Sequence, residues 1–306
     1  MAKILLAESA GFCFGVERAI ALAYETASHQ NGHSHRIATL GPLIHNPEVV
    51  SSLEEREIYS MENLEQAASR KVDTLIFRSH GVTAEAEKKA KELGLKTVDA
   101  TCPYVLTSQR YAVSAAKRGQ WVVIVGNPSH PEILGIVSRA ALYTDKIRVI
   151  ACLEEVEQIP SGLDAAILAQ TTFPPALYDQ IVETLGKKSS SIKVYHTICS
   201  ATEERQRDSA KLAELSDCVI VIGGKNSANT AKLVDICKKI QSHTYTIETA
   251  SELCSEWFLG SEKIGVTAGA STPRSTIEEV IARVKDAIGM PVEMEIVTGV
   301  EVCKQH

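Results

Sequence analysis

The sequence has no Cys-x-x-Cys pair, which argues against a zinc ribbon or a thioredoxin-type redox site. It has no block of lysine and arginine interleaved with aromatics. Aromatic residues make up only 5% of the chain and the formal net charge is -6, so a nucleic-acid partner is disfavoured. No apolar run approaches the length of a membrane span, and the one in MAKILLAES is broken by Glu8 and too short for a signal-peptide core. These absences lead to the expectation of a cytoplasmic protein without a transit peptide and without a membrane partner. No Pro/Gly/Ser linker or low-complexity tract divides the chain, and no flavin or nicotinamide fingerprint is evident.

Among the eight cysteines, three share one local setting. Cys13, Cys102 and Cys199 each end an apolar strand-like run (KILLAESAGFC, LKTVDATC, VYHTIC) just before a helix-like segment, at intervals long enough to place each on its own structural unit. The recurrence argues for one shared centre. Three protein thiolates leave a coordination position open, which suits an iron-sulfur cluster that binds substrate better than one that only passes electrons. For any one of them alone, the plainer reading is an inert buried thiol. Cys152, Cys218, Cys237, Cys254 and Cys303 lack the setting, and Cys218 in CVIVIGG and Cys237 in AKLVDICKKI read as core. Cysteines without a secretory signal fit a reducing compartment.

Each third of the chain repeats short apolar runs that end in a small polar loop and lead into a helical pattern, the βα grammar of a parallel sheet. The first third has the Cys13 loop, TLGPLIHNPEVV and TLIFRSHGVTAEAEKKA. The second has the Cys102 loop, WVVIVGNPSHPEILGIV and AAILAQTTFPPALYDQI, and the third the Cys199 loop, CVIVIGGKNSANTAKLV and IGVTAGASTPRSTIEEV. Nine junctions in three sets predict a trefoil of three small parallel-sheet α/β domains, divided as 1–101, 102–198 and 199–283, with a tail at 284–306. Asn46-Pro47, His130-Pro131 and Thr272-Pro273 place proline at the first helical position, with Asn46 and Thr272 as N-caps. Val16, Ala19, Ile20, Ala23 and Ala27 follow helical spacing. The charge of ATEERQRDSAKLAEL reads as a solvated helix face, the serines at 189–191 as a loop, and Val292, Met294 and Ile296 as a final strand.

Ligands of parallel sheets bind beyond the carboxyl ends of the strands. Those ends carry His45, His80, His130, Glu132, Thr171, Thr172, Ser227, Asn229 and Ser271. Histidines with hydroxyl and amide donors beside helix N-termini make a phosphate or diphosphate site. Singly, such residues are more simply caps or surface groups, and repetition at equivalent junctions is what favours a site. Glu132 closely follows a junction histidine. In a partly dry pocket facing an anion its pKa would rise and it could deliver a proton, although a first-turn glutamate also simply suits the helix dipole. Gly223-Gly224-Lys225 matches a phosphate loop only loosely.

The motifs GFCFGVERAI, GPLIHNPEVV, FRSHGVT, DATCP, HPE, QTT, TIC, GGKNSANT and TAGAS, in this order from about Cys13 to Ser271, resemble those of the 4-hydroxy-3-methylbut-2-enyl diphosphate reductase family. The resemblance implies a trefoil around a central 4Fe-4S cluster, one per chain, with Cys13, Cys102 and Cys199 as ligands. It implies reduction and dehydroxylation of the allylic diphosphate to isopentenyl and dimethylallyl diphosphates, the terminal step of the methylerythritol phosphate route to isoprenoids. It also implies a diphosphate cradle of His45, His80, His130, Ser227, Asn229 and Ser271, with Thr171 as partner of the substrate hydroxyl and Glu132 as proton donor. Ala228 departs from the pattern, standing where many members have serine. The expected electron source is a ferredoxin or flavodoxin. A three-cysteine trefoil lyase of the quinolinate synthase type and a non-enzymatic iron-sulfur sensor are the alternatives. The former would act on carboxylates without net reduction, and the latter would need no anion cradle.

Overall fold

The computed structural model describes residues 2–28, 35–44, 46–225, 227–289 and 291–299, so His45 and Cys303 lie outside the described residues. Its strands form three sheets in which every pairing is parallel. One sheet contains β1 (Ala2–Ala7), β10 (Cys218–Ile222), β11 (Thr244–Ile247), β12 (Lys263–Ala268) and β13 (Val292–Val297), in the order β11-β10-β12-β1-β13. A second has β2 (Ile37–Leu40), β3 (Ile58–Met61), β4 (Thr74–Phe77) and β5 (Lys96–Asp99), ordered β3-β2-β4-β5. A third has β6 (Trp121–Val125), β7 (Ile147–Ile150), β8 (Asp164–Ala169) and β9 (Ser191–Val194), ordered β7-β6-β8-β9. The five-stranded sheet lies in one compact unit and both four-stranded sheets in another.

The helices are α1 (Phe14–Ser28), α2 (Pro47–Glu54), α3 (Leu64–Ser69), α4 (Ala84–Glu92), α5 (Pro103–Lys117), α6 (Pro131–Ala141), α7 (Pro175–Lys188), α8 (Ser200–Leu215), α9 (Ala228–Ile240) and α10 (Arg274–Ile288). None among the described residues is long and apolar enough to cross a membrane. The central strands β6 (WVVIV) and β10 (CVIVI) are apolar throughout because both of their faces are covered. Cys218, Ile220 and Ile222 pack into one core and Val219 and Val221 into the core on the opposite face. In β6, Val123 and Val125 face one core while Val122 and Ile124 face another. Each such side chain contributes roughly 1.5–3 kcal/mol of burial free energy.

Sheet membership departs from the 1–101 and 284–306 segments at both ends of the chain. β1 pairs with β12 and β13, so the strand leading to Cys13 belongs to the last sheet rather than the first. β13 lies beside β1 in register from Ala2↔Val292 to Ala7↔Val297, which is where the tail docks. The reason is positional. β5 beside β4 and β9 beside β8 are the strands that end before Cys102 and Cys199, and β1 fills the equivalent place beside β12.

The caps are partly as expected. Asn46 Oδ1 accepts from Val49 N at 3.1 Å, and His130 caps α6 with its own ring, Nδ1 accepting from Glu132 N at 3.2 Å. Thr272 does not cap: Pro273 takes that position, and the buried Thr272 hydroxyl donates to Ile222 O at 3.1 Å, tying its loop to the end of β10. Ser191, read as loop, opens β9.

Candidate functional site

In the unit with the two four-stranded sheets, the loops after β4, β5, β6, β8 and β9 bring most of the expected residues together. Cys102 is the N-cap of α5, with Pro103 next, and its N–H donates to Ser79 O at 2.9 Å. The DATC loop is pinned as an Asx turn, in which Thr101 N donates to Asp99 Oδ1 at 2.9 Å, while Arg18 Nη1 donates to Thr101 O at 3.1 Å. The Asp99–Thr101 spacing was a legible turn signal that sequence reasoning passed over. Ser79 Oγ donates to Leu43 O at 3.1 Å, which fixes the turn that carries His80. The His80 ring stands edge-on to the His130 ring, with centroids 5.2 Å apart. Gly81 follows at φ +79°, and a Cβ there would meet Gln109 Nε2 at 3.0 Å, so glycine is needed for both conformation and space.

Glu132 occupies the first turn of α6 and is only 1% exposed. Thr171 N donates to its Oε1 and Thr171 Oγ1 to its Oε2, both at 2.7 Å. Burial pushes the carboxyl up to about 7 against these two hydrogen bonds, which favour the charged form. A glutamate placed only to suit the helix dipole would face solvent, and this one does not. Thr171 O in turn accepts from Cys199 N at 3.0 Å, so one residue touches both the buried acid and the backbone of a candidate ligand. Thr197 holds that turn to β8, its hydroxyl donating to Ala169 O at 2.7 Å and accepting from Ala169 N at 2.8 Å. Thr172 is drawn instead to Gln170, whose Nε2 donates to its hydroxyl at 3.2 Å.

In the other unit, Cys13 N donates to Ala270 O at 3.3 Å, which lays the Cys13 loop against the turn holding Ser271. Ser227 caps α9, its Oγ accepting from Thr230 N at 3.3 Å. Asn229 is 7% exposed, and its Nδ2 is buried with no hydrogen-bond partner among the described residues. A buried orphan donor is costly unless a ligand completes it. Lys225 turns away from this loop to Glu248 and Glu252, which removes the cation a phosphate loop would need.

Helix α8 has the expected solvated face in Glu203, Glu204, Arg207, Lys211 and Glu214, which are exposed, but two of its charges depart from it. Arg205 and Asp208 are buried. Arg205 Nη2 donates to Gly11 O at 2.9 Å, while Asp208 accepts from Ser9 N at 3.2 Å and from Gly299 N at 2.7 Å. The pair thus holds the Cys13 loop and the end of β13, satisfying backbone groups that local sequence cannot reveal. Asp208→Ala is expected to cost roughly 1–3 kcal/mol by leaving partly buried N–H groups without acceptors, against less than about 0.5 for exposed Glu204→Ala. Denaturant melts of both variants check this.

The thiol chemistry separates the cysteines. Burial, with Asp217 adding, pushes Cys218 up to about 12, and burial alone does the same to Cys237, so both stay protonated and unsuited to ligation. Cys152 is also raised, chiefly by its hydrogen bond with Glu154. Cys13, Cys102 and Cys199 are half-buried cysteines, each directly before a helix, α1, α5 and α8. That donor set fits an iron-sulfur cluster. Among the described residues, no three His, Cys, Asp or Glu side chains are gathered as a metal site.

Comparison with known proteins agrees with these motifs. The LytB protein family model matches residues 4–285. The 4-hydroxy-3-methylbut-2-enyl diphosphate reductase of Trichlorobacter lovleyi is 43% identical over 92% of this chain and 97% of its own length, and that of Geobacter sulfurreducens is 43% identical over 93% and 97%. A solved structure of (E)-4-hydroxy-3-methyl-but-2-enyl diphosphate reductase, the terminal enzyme of the non-mevalonate pathway, is 39% identical with a TM-score of 0.68, covering 94% of this chain and 100% of that one. The E-1-hydroxy-2-methyl-but-2-enyl-4-diphosphate reductase of Plasmodium falciparum, 25% identical, gives a TM-score of 0.88 over 100% of this chain and 95% of its own. With a family match spanning residues 4–285 and relatives 43% identical over more than nine-tenths of its length, the chain belongs to the LytB family.

Proposed function

We propose that this chain reductively removes the hydroxyl of (E)-4-hydroxy-3-methylbut-2-enyl diphosphate, giving isopentenyl and dimethylallyl diphosphates at the end of the non-mevalonate route. The observation that carries this reading beyond family membership is the buried Glu132 carboxyl, raised to about 7 and bonded twice to Thr171. Each turnover consumes two electrons and two protons: one proton leaves with the hydroxyl oxygen as water and the other forms a C–H bond.

Cys13, Cys102 and Cys199 would hold a 4Fe-4S cluster. When bound, the cluster supplies electrons one at a time and offers an iron without a protein thiolate as a Lewis acid. Glu132 holds the proton. When Oε2 is protonated it donates to Thr171 Oγ1, and the Thr171 hydrogen turns to the substrate hydroxyl, so departure of water draws a proton through Thr171 from Glu132. His130, whose Nδ1 accepts from the α6 backbone, carries its neutral-ring proton on Nε2 and presents a donor to the diphosphate. His45, His80, Ser227, Asn229 and Ser271 complete the cradle, with the orphan Nδ2 of Asn229 as one amide donor. A ferredoxin or flavodoxin in the cytoplasm supplies the electrons.

His80→Ala and Asn229→Ala are each expected to weaken diphosphate binding by roughly 1–3 kcal/mol while leaving the cluster spectrum unchanged. Calorimetry with inorganic diphosphate measures the first effect and visible spectroscopy the second, and unchanged affinity in both variants would move the anion site elsewhere. The proposed activity is tested by incubating the anaerobically purified, cluster-loaded protein with the allylic diphosphate and dithionite-reduced methyl viologen. Formation of both isomers supports the reading. Loss of water without reduction, or no turnover at full cluster loading, overturns it.

A further inference from the structure

We infer that the outer face of α5 and α6 is the docking surface for a small acidic electron carrier of the ferredoxin or flavodoxin type; this rests on the reductase reading above. The chain is acidic overall, with a net charge of -6. Between Ala100 and Thr144, however, the only carboxylate is Glu132, and it is buried. The same stretch presents exposed Arg110, Lys117 and Arg118 together with half-buried Arg139. Its surface therefore has the opposite sign to the protein as a whole.

The cations are arranged around apolar ground. A cavity of about 590 Å³ is lined by Leu106, Val113, Arg110, Lys117 and Arg139. Gln109 also lines it, 3% exposed and with its Nε2 lacking a hydrogen-bond partner among the described residues. An adjoining cavity of about 360 Å³ shares Val113 and Arg139 and adds Leu142 and Tyr143, both exposed. Lys117 Nζ lies 4.5 Å from the Tyr143 ring centroid. Arg139 is paired with Glu87 at 3.0 Å. Among the described residues, no carboxylate lies within ion-pair distance of Arg110 or Lys117, so their charges are open to a partner.

An aromatic and aliphatic patch whose rim carries two cations without a carboxylate partner among the described residues, Arg110 and Lys117, has the chemistry of a transient interface with an acidic protein. Its location also suits electron delivery. Cys102 is the N-cap of α5, so Leu106, the first wall of the groove, lies one turn on, about 6 Å along the axis from that proposed ligand. Each substrate molecule takes up two electrons and two protons as its C–O bond breaks, one proton leaving in water and one entering a new C–H bond. Two reduced carriers, each oxidised by one electron, balance the reaction. Charge complementarity would steer their approach and make it sensitive to salt.

The test uses the cluster-loaded Arg110→Glu/Lys117→Glu variant, with Lys238→Glu/Lys239→Glu on exposed positions of α9 as the control. Calorimetry at low salt measures binding of an acidic flavodoxin and an acidic ferredoxin. Kinetics compare turnover driven by each reduced carrier with turnover driven by reduced methyl viologen. Carrier affinity and carrier-driven kcat/KM should fall by about tenfold or more in the α5 variant, with viologen-driven turnover unchanged and the α9 variant behaving as wild type. Wild-type carrier binding in the α5 variant overturns the inference, as does an equal loss in the α9 control. So does tight binding of single-stranded RNA, lost in the α5 variant while the carriers are unaffected. Should viologen fail to drive the wild type, the reductase reading falls, and the binding comparison still decides the docking surface.

Discussion

Glu132→Gln is expected to bind substrate and hold its cluster while turnover falls by about 100-fold or more. The size of the effect follows from what the substitution leaves intact. A glutamine oxygen still accepts from Thr171 N, and its amide can donate to Thr171 Oγ1, so the buried contacts that now measure 2.7 Å remain satisfied. Only the transferable proton is lost. Glu132→Asp should fall in between, with the acid retained but one methylene short. If Glu132 served only the helix dipole, the Gln variant would lose about 0.3–1 kcal/mol of stability and turn over nearly normally. Stability should move the other way. Burial raises the folded pKa from 4.5 to about 7, so the contribution of Glu132 to stability is fully present below pH 4.5 and is lost as pH rises to about 7. Across that window the Gln variant should gain up to about 3 kcal/mol relative to wild type. Anaerobic kinetics and pH-dependent melts of the same variant measure both effects.

Cys13→Ser, Cys102→Ser and Cys199→Ser should each lose most of the iron and acid-labile sulfide, whereas Cys152→Ser and Cys237→Ser keep theirs. The first three are half-buried thiols at the starts of α1, α5 and α8. Cys237 is buried, pushed up to about 12, and directs its thiol at Ser209 O. A serine hydroxyl is a poor substitute for thiolate at iron, so each loss should show directly in metal analysis of anaerobically prepared protein. Equal iron loss on replacing Cys152 or Cys237 would sink the ligand assignment.

The βα junctions and the parallel sheets were legible because their signals are local: apolar runs, prolines at helix starts and small loops. The place of β1 was not, since its partners in β12 and β13 lie at the far end of the chain and nothing in AKILLA marks which edge it will cover. Two charges of α8 escaped the solvated-face reading, which holds for Glu203, Glu204, Arg207, Lys211 and Glu214, for a related reason. Arg205 and Asp208 are buried only because Gly11, Ser9 and Gly299 bring backbone groups to them. Glu132 could be found as a first-turn acid, but the choice between helix dipole and proton donor depended on its burial and on Thr171, 39 residues further along the chain. Thr172, equally plausible in sequence, is separated from Thr171 by a single bond to Gln170.

The claim that the buried Glu132 carboxyl is the acid for loss of the hydroxyl is tested most directly by the pH dependence of kcat, measured anaerobically with saturating substrate and reduced methyl viologen. Wild-type kcat should fall about tenfold per pH unit above an apparent pKa at or above about 7, and the residual activity of Glu132→Gln should lack that limb. A wild-type profile level from about pH 6 to about pH 9, or the same limb in the Gln variant, would contradict it.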